Sequence, residues 1–459
     1  MKRYFHNINI GIVLLAMLFV AAACTEQGTE PDTPPVTPPE IEEPVEPESY
    51  TIMYFACGGG TLDNGIEIVL RSAELVGCRE NIKVTGSVKW TSGRTSNIAS
   101  GDGGVYRFML DSDENSELRF EQVGDKEYPL YDPENIADFV AWSKSVAPAD
   151  NYILILAGHG NGWHPGVGLI ATRGTLRDTD TKRYISLGEL DEGLALADTH
   201  FKMIMFNSCL MSTMEYLTAL SDDADYIFAP NHVSILLGSE LSFLLTNLGD
   251  MEEPGNEAFI AAMENYYADI ADLMMLYSED ESSLDIILTD TRRIEAINKA
   301  IKRLTDAIVA LYEEEAKIGA EAMERKYGGS IATLEASLSQ SYNFLTTHLD
   351  DEEIAETEYM RQSFTCDLAD VATRAAVAIG SPGLVTAAND VIARCWEAQK
   401  IYYAQGLWDI EKVSYAITLT NSQRWISYGY DRGGYCETLF DQTTGWSRFL
   451  SINTIELRY

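Results

Sequence analysis

Tyr152-Ile-Leu-Ile-Leu-Ala-Gly-His159-Gly-Asn-Gly-Trp163 and, further on, Phe201-Lys-Met-Ile-Met-Phe-Asn-Ser-Cys209 decide the fold of this 459-residue chain. Each is an unbroken apolar run closed by small or polar residues. Such runs belong to strands buried on both faces of a parallel sheet. Leu210, Met214, Leu217 and Leu220 follow at helical spacing, so the second strand is expected to turn directly into a helix. Ligands of open α/β sheets bind beyond the carboxyl ends of the strands, and both His159 and Cys209 fall there.

The residue types suit nucleophilic catalysis. A cysteine at a helix N-terminus beside a histidine has its thiolate favoured by the dipole and by the base. His159 would deprotonate Cys209 or hold it as an ion pair, then protonate the leaving amine. The amide of Gly160, with no side chain in the way, and that of Cys209 are the candidate oxyanion donors. The same pattern also fits a buried structural thiol and an ordinary loop histidine.

Gly158-His159-Gly160 closing one strand and Asn207-Ser208-Cys209 closing the next resemble the caspase-like clan of cysteine peptidases, and in detail the clostripain family. Matching pieces run in order from about Tyr50 to Tyr459: Thr51–Ala56 with a glycine-rich loop, Asp132–Trp142, Pro148–Leu156, Cys209-Leu-Met with Glu215, and Ala224–Ala229. The resemblance implies an α/β fold, a caspase-like, mostly parallel β-sheet flanked by helices, with additional C-terminal helices. It also implies a His159/Cys209 dyad, peptide or protein substrates, no cofactor for the chemistry, and calcium dependence, although no contiguous calcium ligand set stands out. The family's aspartate two residues before the cysteine, which shapes a pocket for Arg or Lys, is Asn207 here. Its Ser-Glu after the next strand is Pro230-Asn231. An amide attracts a cation far less than a carboxylate does, so Asn207 and Asn231 weaken the implied Arg/Lys preference. The other role open to Asn207 is a helix N-cap. A peptide- or glycan-binding surface lipoprotein that does not cleave is the rival reading.

Between the dyad residues, Ala171–Ser186 is polar and expected to be exposed and open to nicking. Family members resembling this chain cut themselves between the histidine and the cysteine, which makes Arg173, Arg177, Lys182 and Arg183 candidate positions.

Residues 1–23 read as an export signal: Lys2 and Arg3 precede an apolar stretch too short for a comfortable membrane span. Val20-Ala-Ala-Ala-Cys24 resembles a bacterial lipobox, which makes Cys24 the candidate lipid anchor and the protein an exported outer-membrane lipoprotein. Residues 24–49 form a tether: Thr25–Ser49 holds seven of the fourteen prolines and eight acidic residues, a composition that cannot bury a core. Residues 50–459 are expected to form one elaborated peptidase domain.

The formal charge of −38 disfavours nucleic acid and anionic membrane as partners, leaving lipid at Cys24 as the membrane contact. Of the seven cysteines, five remain after the anchor and the nucleophile are set aside, an odd number that forbids complete pairing. Elsewhere, Tyr50–Ala56, Ile82–Val88, Leu284–Thr289 and Tyr415–Thr420 read as strands. Asn256–Tyr277, Arg292–Arg325, Cys366–Thr373 and Ala387–Tyr403 read as helices, and Phe440–Leu450 as a C-terminal packing segment.

Overall fold

The computed structural model describes residues 47–59, 62–93, 102–112, 117–163, 174–232, 238–274, 284–344, 365–405, 413–420, 422–427 and 434–455. The expected export signal, most of the tether with Cys24, and Arg173 lie outside them.

Unbroken apolar runs produce the central strands. In chain order the strands are β1 (Tyr50–Cys57), β2 (Ile82–Trp90), β3 (Gly104–Leu110), β4 (Glu121–Gly124), β5 (Asn151–Ala157), β6 (Thr175–Asp178), β7 (Arg183–Ile185), β8 (Phe201–Asn207), β9 (Ala224–Ala229), β10 (Leu284–Asp290), β11 (Thr365–Asp367), β12 (Gln399–Gln405) and β13 (Ala416–Thr418). Nine of them make one sheet in the order β12-β10-β9-β8-β5-β1-β2-β3-β4. β2, β1, β5, β8 and β9 run parallel. Antiparallel strands close both sides, β3 and β4 at one and β10 and β12 at the other.

Because side chains alternate across a strand, each inner strand feeds two cores. Met53 and Phe55 of β1 and Leu154 and Leu156 of β5 face one. Ile52 and Tyr54, with Ile153 and Ile155, face the other. The first core is covered by α2 (Pro133–Val146), α3 (Leu187–Ala197), α4 (Met214–Ala219) and α7 (Ile294–Ile318), the second by α1 (Leu62–Val76), α5 (Glu240–Gly249) and α6 (Asn256–Met274). Helices α8 (Ala320–Tyr327), α9 (Ile331–Leu338), α10 (Leu368–Ala378) and α11 (Pro382–Ala398) extend the first layer. The mostly parallel α/β architecture with C-terminal helices is therefore present, and the described residues fall in one compact unit, Val45–Tyr459.

Several local expectations are corrected. The helix after Cys209 begins only at Met214, capped by the Thr213 hydroxyl. Leu210 is instead in the left-handed region at φ 63. Cys209 thus stands off the helix end, and the dipole contribution expected of a terminal position falls away with distance. Asn207 likewise caps no helix. Cys366 lies in β11, and the helix starts at Leu368. Gln399–Tyr403 is edge strand rather than helix, because pairing with β10 satisfies its backbone. The long helix from Arg292 breaks at Gly319, whose φ of 84 no helix admits.

Candidate active site

The parallel strands deliver their loops to one edge of the sheet. β5 and β8 are neighbours, with Ala157 level with Asn207. The Gly158 N–H donates to the Asn207 carbonyl at 3.2 Å, so pairing continues to the residue before His159. The next glycine closes the gap. A Cβ on Gly160 would lie 2.5 Å from the Cys209 carbonyl oxygen and 2.9 Å from its amide nitrogen. Only a residue without a side chain fits so close. The histidine loop is thereby pressed onto the cysteine turn. His159, Gly160, Asn207 and Cys209 are half-buried, while the runs leading to them are buried.

The Cys209 turn is held at several points. Leu210 N–H donates to the His232 carbonyl at 3.1 Å, Ser212 N–H to Pro230 at 2.9 Å, and Ala416 N–H to Ser212 at 2.9 Å. Leu210 packs with Phe344, Val413 and Ala416, against which Cys209, Tyr342 and Tyr402 also rest. Those contacts sustain a positive φ that costs a leucine about 1–2 kcal/mol. The C-terminal region therefore takes part in the site. The buried Glu215 accepts from Thr418 at 2.8 Å and from Tyr435 at 3.1 Å, and Tyr435 meets Trp163 of the histidine loop edge-on at 4.6 Å.

Burial pulls the His159 imidazole below its ordinary range, and the nearby Arg177 guanidinium adds to the effect. Both disfavour the charged ring, leaving it a neutral base at neutral pH. Arg177 is exposed on β6, its N–H donating to the His159 carbonyl at 3.3 Å.

The segment expected to be an exposed polar connection is instead, from Gly174 on, a hairpin of β6 and β7. It is pinned from below. Lys89, wholly buried on β2, places Nζ 2.5 Å from Asp178 and donates to the Tyr128 carbonyl at 3.0 Å. The Cys57 thiol donates to the Arg177 carbonyl. Arg183 is half-buried, paired with Glu189 and stacked on Tyr131. Lys182 alone of the described cut candidates sits in the turn, exposed and at φ 58.

Asn231 is fully buried, its amide donating to the Ser414 carbonyl at 2.9 Å. It lies one strand beyond the Asn207 position. None of the six described cysteines is in a disulfide. Burial drives the thiols of Cys57, Cys366 and Cys395 far up and that of Cys78 to about 12, so none of these four is a ready nucleophile. Among the described residues no group of three or more His, Cys, Asp or Glu could hold a metal ion.

The sequence profile described as the clostripain family matches residues 106–449. The chain belongs to the clostripain family. It is by that membership a cysteine-type peptidase, of a family whose chemistry needs no cofactor. Among solved structures it is similar to a secreted C11 cysteine protease from Bacteroides thetaiotaomicron ("iotapain"), at 13% identity and a TM-score of 0.57, covering 87% of this chain and 100% of that one. It is also similar to an inactive zymogen C11 protease from Parabacteroides distasonis, at 14% identity and a TM-score of 0.56, covering 87% and 99%. The Bacteroides thetaiotaomicron protease in complex with an irreversible peptide inhibitor matches with the same identity, TM-score and coverage. At these identities the likeness is one of fold. No curated protein matches the sequence.

Lys89, Asp178 and His232 are not legible in the sequence as residues that shape the site. His232 did leave a trace: it is one of only six histidines and directly follows the Pro230-Asn231 departure.

Proposed function

We propose that this family member is an exported, lipid-anchored cysteine endopeptidase in which Cys209 attacks the peptide carbonyl and His159 moves the protons. The carrying observation is the close approach of Gly160 to the Cys209 peptide, so tight that an added Cβ would lie 2.5 Å from the Cys209 carbonyl oxygen. The neutral imidazole takes the thiol proton and the sulfur bonds to the carbonyl carbon. The oxyanion then faces the Gly160 and Cys209 amides. Collapse expels the amine, which takes the proton from the imidazolium and leaves a thioester. A water deprotonated by His159 hydrolyses the thioester and restores the thiol. The substrate is a peptide or protein.

With Asn207 in place of a carboxylate, Arg and Lys at P1 lose their electrostatic advantage, and neutral P1 residues are cleaved comparably. Self-cleavage is assigned to Lys182 or Arg173. Arg177 and Arg183 sit in paired strands that would have to unzip to enter the cleft, which argues against them. Cys24 carries the lipid and residues 24–49 the tether, on sequence grounds. A fluorogenic peptide library varied at P1, run on the native chain, Cys209→Ala and His159→Ala, tests the reading. Both substitutions should abolish hydrolysis, and Cys209→Ala should abolish labelling by a peptidyl acyloxymethyl ketone. Hydrolysis retained by Cys209→Ala would refute it. Radiolabelled palmitate incorporation lost in Cys24→Ser tests the anchor.

A further inference from the structure

The turn that carries the nucleophile owes its shape to a segment that is itself irregular. Leu210 donates its N–H to His232 and Ser212 donates to Pro230, so Pro230–His232 is the template on which Cys209-Leu210 is laid. That template has no helix or strand of its own, and Asn231 and His232 are 0% and 1% exposed. A buried carboxylate on the neighbouring β10 holds it. Asp285 accepts from the Asn231 N–H at 3.2 Å and from the His232 N–H at 3.0 Å, and its Oδ1 lies 2.8 Å from His232 Nδ1.

On its other side the imidazole reaches Tyr342, whose hydroxyl lies 2.9 Å from Nε2. Tyr342 is fixed in turn, its N–H donating to Asp370 at 2.8 Å. Its ring and that of Phe344 meet the imidazole edge-on, in the apolar wall on which Cys209 and Leu210 rest.

Packing alone does not account for this arrangement. A buried carboxylate and imidazole carry a desolvation cost that an apolar pair of the same size avoids. What this arrangement supplies is direction: two backbone N–H groups converge on one carboxylate and fix where the His232 carbonyl points. We propose that His232, clamped by Asp285, is a positioning residue for peptide-bond cleavage, setting the Cys209 turn through the Leu210 amide and tying it, through Tyr342, to the apolar wall beside the thiol. This rests on Cys209 being the nucleophile, as proposed above.

The test uses the full chain carrying Asp285→Asn or, as the smaller change that removes only a hydroxyl, Tyr342→Phe. Active sites are titrated with a peptidyl acyloxymethyl ketone, and kcat and KM are measured separately. Exchange of the Leu210 amide hydrogen is followed alongside. Misplacing a nucleophile slows the chemical step more than it weakens binding. In Asp285→Asn, kcat per titrated site should fall by about tenfold with KM nearly unchanged, and Leu210 exchange should quicken. Tyr342→Phe should move both in the same direction by less. A kcat within about threefold of native in both variants, or a loss confined to the number of titratable sites, overturns the proposal, since a purely structural role predicts that pattern. If Cys209→Ala hydrolyses as fast as the native chain, the nucleophile assignment itself is refuted, and the positioning role goes with it.

Discussion

Replacing Lys89 by methionine removes one member of a fully buried ion pair and keeps the aliphatic stem in the sheet. Lys89 and Asp178 are 0% and 2% exposed. Among the described residues Asp178 would be left with the N–H groups of Asp180 at 3.0 Å and Thr181 at 3.3 Å as donors, and the Tyr128 carbonyl would lose its ammonium. Removing one partner of a buried pair costs about 3–5 kcal/mol, and the two surviving donors place this case near 3. The double variant Lys89→Met/Asp178→Leu strands no charge. Its residual cost is the two turn N–H groups, about 1 kcal/mol each. The single variant should therefore be less stable than the double by about 1 kcal/mol. Urea unfolding followed by tryptophan fluorescence measures the ordering, and trypsin cleavage at Arg177, Lys182 and Arg183 reports the hairpin directly. Since Arg177 holds the His159 carbonyl, the single variant should also lose activity. A Lys89→Met protein as stable and as trypsin-resistant as native, or a double variant clearly worse than the single, would refute the clamp.

Three further outcomes follow from the site. Gly160→Ala forces a methyl to within 2.5 Å of the Cys209 carbonyl oxygen; moving the amide proposed as an oxyanion donor should lower kcat by about 10²–10³-fold, with a circular dichroism spectrum like native. Arg177→Gln removes the smaller of the two influences holding the His159 imidazole down. The ring then protonates at higher pH, so the acid limb of kcat/KM should move upward, and a limb that stays put or moves down would contradict it. Burial raises the Glu215 carboxyl, so the folded state keeps a proton that the unfolded state has released, and stability falls as pH rises through the interval between the two values. Glu215→Gln keeps the acceptor for Thr418 and Tyr435, should lie within about 1 kcal/mol of native at acid pH, and should flatten that fall in urea titrations across pH.

The parallel sheet could be read from the chain because an unbroken apolar run is a local signal. Ile153–Leu156 and Met203–Phe206 could be buried on both faces in no other common way, and the glycines and Cys209 marked where each run ends. Where reading failed, the deciding contact was distant. Leu210 counted as helical by spacing, yet its conformation answers to Phe344 and Val413. Gln399–Tyr403 carried a helical pattern, but an open sheet edge at β10 claimed it.

Sequence by itself therefore determined the fold class and the ordered family pieces, both set by patterns within a few residues. Tertiary structure alone decided that a mid-strand Lys89 meets an acid 89 positions away and that Asp285 grips His232 from 53 positions off. A buried charge is tolerable only beside its partner, and no local pattern records which partner the folded sheet will bring.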